Sequence, residues 1–134
     1  MNRLGLESIL LAAGLAEIRR TLGSESDAFL LAVGGRIGAA CIGPSSDDLP
    51  TVQAWMSEIW ATLDLGNAEL IAEGGTLRIV HQLPPVSLEQ RQWFDMMPGI
   101  VEGIYIDWMK RLDGRGRLSR FDVDGDRLEF IYAS

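Results

Sequence analysis

The spacing of apolar residues changes period three times along this 134-residue chain, and those changes constrain its fold more than any single motif. Leu4, Leu11, Leu15, Ile18 and Leu22 recur at steps of seven, four, three and four, which is one face of a helix. Phe29, Leu30, Val33 and Ile37 continue that spacing in a second helix, which Gly23 separates from the first and Ser24 or Ser26 is placed to cap. Gly34, Gly35 and Gly38 each weaken such a helix by about 1 kcal/mol relative to alanine, so they predict another backbone packed close against it. After the turn-rich stretch Gly43-Pro44-Ser45-Ser46-Asp47-Asp48, a third helix carries two apolar stripes: Val52, Trp55 and Ile59, then Met56, Trp60 and Leu63. Two tryptophans on so wide a face exceed what one small domain needs, which predicts an oligomer interface.

The period then shortens to two. Asn67 to Ala72 and Thr76 to Leu83 alternate around Glu73-Gly74-Gly75, a hairpin pattern, with Leu77, Ile79, His81 and Leu83 on one face and Arg78, Val80 and Gln82 on the other. Pro84-Pro85 stops the strand. Ser87 to Gln90 has the form of a capping box opening a short helix through Trp93. Pro98 suits the first turn of a longer helix with Val101, Tyr105, Trp108 and Leu112 on one face. Leu118 to Val123 and Leu128 to Tyr132 form a second hairpin around Asp124-Gly125. The expected fold is α+β in a single domain, residues 1–134: three N-terminal helices, a β-hairpin, a long helix and a C-terminal β-hairpin, with an antiparallel sheet packed by helices.

Charge and hydropathy narrow the partners. The net charge of -7 comes from 19 acidic and 12 basic residues, and the basic ones are scattered, so a phosphate backbone is repelled and nucleic acid is excluded as a partner. A neutral polymer is not. No apolar run approaches the roughly 20 residues of a membrane span. Ile9 to Ala16 imitates a short signal segment, but Glu7 precedes it and no small-x-small cleavage site follows, so it reads as a helix of a cytoplasmic protein.

Groups that could do chemistry each have a plainer reading. His81 is the only histidine and lies on the apolar face of a strand, as a hydrogen-bonded structural histidine would. One histidine and one cysteine exclude a structural zinc site. Cys41, in an apolar stretch, reads as a small packed thiol. Asp122, Asp124 and Asp126 imitate a calcium loop, yet Arg127 and Ala133 stand where glycine and glutamate are required. Glu69 and Glu73 share a solvated strand face, and Glu102 and Asp107 occupy different faces of a helix. Gly34-Gly35-Arg36-Ile37-Gly38 follows no strand and lacks the lysine of a phosphate loop. Trp55, Trp60, Trp93, Tyr105 and Trp108 could stack on sugar rings, but most sit at core spacing. No catalytic residue, metal or cofactor is expected.

Three stretches carry a resemblance. Leu77-Arg78-Ile79-Val80-His81 followed by Leu83-Pro84, then Val101-Glu102-Gly103-Ile104-Tyr105 with Trp108, and Leu31 to Ala39 containing Gly35-Arg36, are similar in motif and order to the cellulose synthase D-subunit family. The match covers about residues 25 to 112. The resemblance implies a non-catalytic accessory subunit of bacterial cellulose synthase, assembled from dimers into a ring-like octamer beside the other synthase subunits. It also implies that nascent glucan chains pass through the assembly or are ordered by it. On this reading Asn2, Arg3 and Glu7, ahead of the first helix, are candidate glucan contacts, although this arm is short compared with the family's. Trp55, Met56, Ile59, Trp60, Gly103 and Tyr105 are candidate oligomer-interface residues. The competing reading is an acidic secretion-chaperone-like dimer that binds an extended polypeptide.

Overall fold

The computed structural model of the chain describes residues 13–14, 17, 20–85 and 91–133. Residues 13–14, 17 and 20–22 are helical and run into one 3₁₀ turn at Gly23–Glu25, after which come α1 (Ser26–Ala39) and α2 (Leu49–Leu63). Strands β1 (Asn67–Glu73) and β2 (Thr76–Gln82) follow, then α3 (Arg91–Leu112), β3 (Arg117–Asp124) and β4 (Arg127–Ala133). The class is the α+β expected from the periodicity.

Two local expectations are corrected. Neither Ser24 nor Ser26 caps α1 through its side chain. The chain enters α1 already in helical conformation, and the Ser26 N–H bonds the Gly23 carbonyl, so a hydroxyl acceptor is not needed there. Pro98 does not begin a helix; it lies inside α3. Proline removes one backbone bond and costs about 3 kcal/mol in a helix interior. Here Met96, Met97, Ile100, Val101 and Ile104, all buried, form a strip running past it, and that burial outweighs the lost bond. The capping box proposed at Ser87 to Gln90 lies outside the described residues.

Two of the three glycines of α1 do what their cost implied; Gly35 does not, because a Cβ there would meet nothing within 4 Å. Gly34 and Gly38 are buried against α3, where Gly103 faces Leu31. A methyl group at Gly34 would come within 2.9 Å of the Gly103 Cα and closer still to the Ile100 carbonyl oxygen. At Gly34 and Gly103 the two helices therefore cross backbone to backbone.

The sheet is four-stranded and antiparallel, in the order β1-β2-β4-β3. Its register sets the inward residues in rows: Ala68–His81–Leu128 and Leu70–Ile79–Phe130. These rows pack under α2 and α3, and Trp60, Trp108, Tyr105, Phe130 and Met56 are the largest side chains fully enclosed between the layers. The opposite face carries Glu69, Arg78 and Glu129; Glu129 lies 2.9 Å from both Arg78 and Arg127, which hold its carboxyl below the usual range.

The middle of the outer edge of β1 is capped by a single side chain. Gln53 on α2 donates to the Ala68 carbonyl at 2.6 Å and accepts from the Leu70 N–H at 2.7 Å, as a neighbouring strand would. Gln53→Leu keeps the volume but leaves both backbone groups unpaired, and is expected to cost about 2 kcal/mol in urea unfolding. A variant as stable as the parent would mean that water replaces the amide without loss.

Candidate functional site

One cleft of about 330 Å³ opens where the loop before α2 meets the end of α3. Gly43, Pro44, Ser46 and Asp47 come from the loop, Trp55 from α2, and Trp108, Arg111 and Leu112 from α3. Both ends of the loop are pinned. Asp48 caps α2, accepting from the Thr51 N–H at 3.1 Å and from the Ser46 hydroxyl, and these bonds hold its carboxyl below the usual range. At the other end the Trp55 indole N–H donates to the Ile42 carbonyl at 2.8 Å.

The cleft's cation is already engaged. The Arg111 Nε donates to Asp107 at 2.9 Å, one turn earlier on α3, and its terminal nitrogens reach the carbonyls of Gly38 and Cys41. Arg111 thus ties the end of α1 to α3. The half-buried Trp55 ring rests on Trp108 with centroids 4.7 Å apart and planes tilted by 54°. The floor is aromatic and the rim polar. Periodicity could not show this, because it treats Asp47 as helix-start signal and Arg111 as helix-end charge; the Asp107-to-Arg111 step of four was the only hint.

Behind that floor the aromatic cluster continues to His81. Trp60 contacts His81, Tyr105 and Trp108 with centroids 4.5, 5.2 and 5.1 Å away. A carbonyl only accepts, so the His81 Nε2–H donates to the Leu65 carbonyl at 2.8 Å, and Nδ1 is left to accept from the Tyr105 hydroxyl at 2.7 Å. Burial lowers the His81 pKa to about 4, although the Leu65 bond favours the charged form, and burial raises the Tyr105 pKa well above its ordinary value. His81 is neutral, fully enclosed, and has both nitrogens engaged: the structural histidine that its strand position implied.

The remaining candidates are placed as follows. Asn2, Arg3 and Glu7 lie outside the described residues, as does the Trp93 side chain. Met56, Trp60 and Tyr105 have no accessible surface, and Gly103 is buried against Leu31. These four belong to the subunit's own interior and offer nothing to a second copy. Trp55 and Ile59 keep partial exposure, flanking the buried Val52–Met56–Trp60 stripe of α2. Cys41 is half-buried, its thiol 3.4 Å from the Ile37 carbonyl. Glu102 bonds Arg120 at 2.7 Å and Asp107 bonds Arg111, so the two carboxylates are held apart by separate partners.

A trafficking protein particle complex subunit 3 from Naegleria fowleri, solved covalently bound to palmitic acid, is similar with a TM-score of 0.53 over 92% of each chain. At 12% identity that likeness is one of fold alone. No curated protein sequence matches. A family model described as the cellulose synthase D-subunit matches residues 8–130.

Proposed function

This chain belongs to the cellulose synthase D-subunit family, and on that premise we propose that it is a non-catalytic accessory subunit that guides and orders nascent β-1,4-glucan chains. The observation that carries the reading is the extent of the family match, residues 8–130. Membership implies association with the cellulose synthase complex and a role other than that of its catalytic subunit. The commitment of His81, Glu102 and Asp107 to internal bonds supports the same view. Among the described residues no helix is long and apolar enough to cross a membrane, and we place the subunit on the cytoplasmic side of the synthase.

The mechanism proposed is organisation without turnover. A ring of dimers, eight chains in all, would hold several synthase outlets together and raise the local concentration of parallel glucan chains. Those chains then crystallise by their own packing. Trp55 lines the cleft, so Ile59, with the exposed Leu63 four residues on, forms an apolar pair toward the C-terminal end of α2 for a second copy. Asn2, Arg3 and Glu7 are retained as glucan contacts; unchanged cellulose output after deleting residues 2–7 would remove them.

Light scattering tests the assembly. A native mass near eight chains supports the ring, whereas a clean dimer supports the chaperone-like alternative. Leu63→Lys places a cation in the last turn of α2, where the helix dipole favours it, so the fold should hold within about 0.5 kcal/mol. Both Leu63→Lys and Ile59→Asp are expected to reduce the native mass. If both variants keep the parent's mass, this flank of α2 is not an interface.

A further inference from the structure

We propose that the cleft between the 43–48 loop and α3 binds one glucosyl unit of a β-1,4-glucan, an assignment that rests on the accessory-subunit reading. Its volume of about 330 Å³ is at the small end of ligand pockets and accommodates a single sugar ring. Its lining is divided in the way a pyranose is divided. Trp55 and Leu112 offer apolar surface to the C–H face of the ring, and Ser46, Asp47 and Arg111 stand at the hydroxyl edge. An apolar ligand would strip water from those three polar groups and give no hydrogen bond in return.

Charge argues against an anion. Asp107 pairs with Arg111 at 2.8 Å, and carbonyls of α1 and the following loop take most of its other N–H groups, leaving one on the outward terminal nitrogen. The carboxylates of Asp47 and Asp48 stand on the loop, in a chain of net charge -7. A phosphate entering here would meet carboxylates and an arginine already neutralised. A neutral polyol meets no such barrier: its hydroxyls donate to Asp47 and accept from the outward N–H edge of Arg111. Asp47 makes no hydrogen bond among the described residues, and the loop holding it is fixed by the Asp48 cap and the Trp55 bond.

The test is titration of the full-length, ¹⁵N-labelled protein with cellohexaose, and separately with inorganic phosphate, following the indole N–H resonances. Cellohexaose is expected to shift the Trp55 resonance saturably, and Asp47→Ala, at an exposed position, to weaken binding about tenfold with the spectrum otherwise intact. Silence at Trp55, or a response to phosphate and not to cellohexaose, overturns the assignment. Cellulose output from cells lacking the gene separates the two readings. Output restored by the wild-type gene while Trp55 stays silent sinks the cleft alone. Output unaffected by the deletion sinks the accessory reading and the cleft assignment with it.

Discussion

Gly34→Ala is expected to destabilise the fold by about 3 kcal/mol, whereas Gly35→Ala, one residue on, should stabilise it by about 1 kcal/mol. The intrinsic effect of alanine is the same at both positions, because a helix interior favours it over glycine. What differs is the space. A Cβ at Gly35 meets nothing within 4 Å. At Gly34 it meets the Ile100 carbonyl and, at 2.9 Å, both the Gly103 Cα and the Ile104 N, all of them backbone. Backbone atoms of a packed helix do not rotate aside, so α1 and α3 must separate. That separation opens gaps beside Leu30, Ile100 and Ile104, which are buried along α1 and α3. Gly103→Ala is expected to do the same from the other side, since its Cβ would run into the Leu31 carbonyl. A loss of that size is a large fraction of the 5–15 kcal/mol that typically holds a domain. Urea unfolding followed by circular dichroism measures all three variants. Equal midpoints for the alanines at 34 and 35 would mean that the helices do not cross at this point.

This crossing was legible in the sequence because its cost was. Glycines at 34, 35 and 38 in an otherwise helical pattern demanded a reason, and a close backbone supplies it at 34 and 38 but not at 35, which faces open space. Both hairpins were legible too, since Gly74-Gly75 and Gly125 mark turns between alternating runs and all three take positive φ. His81 was legible from its place in the inward row of β2. What periodicity could not report was whose surface covers an apolar face. The third helix, with Trp55 and Trp60 on a wide apolar face, reads as interface material because two tryptophans exceed what one small domain needs. The chain packs them itself by stacking rings on one another, from Trp55 through Trp108 and Trp60 to His81 and Tyr105. The indole N–H groups of Trp60 and Trp108 have no hydrogen-bond partner among the described residues. Packing of the rings outweighs that loss, which no propensity scale registers. The cleft was illegible for a different reason: it joins a loop, α2 and α3, which nothing local in the sequence brings together.

Lowering the pH from 7 to 4 is expected to remove about 3 kcal/mol of stability through His81 alone. The sign follows from which state holds the proton. In the unfolded chain the ring titrates near 6.5, and in the fold, where burial disfavours the charge, near 4. Between those values the unfolded state binds a proton that the native state refuses, so stability falls as the pH falls and levels off near 4. The geometry agrees with this. A second ring proton would sit on Nδ1 and face the Tyr105 hydroxyl, which would then have to stop donating to the ring. Asp48, Asp113 and Glu129, whose pKa values are lowered by their hydrogen bonds, also contribute to acid unfolding, but only from about pH 5 downward. The loss between pH 6.5 and 5 is therefore assigned to His81. Because the chain has a single histidine, proton NMR follows its ring without ambiguity. Its Cε1–H signal is expected to stay fixed from pH 8 to 5 in the folded protein, while His81→Gln lowers stability at pH 7 and flattens its pH dependence over the same window. A native-state midpoint near 6.5 would show instead that the ring reaches solvent, and that the seal made by Trp60, Tyr105 and the Leu65 carbonyl does not form.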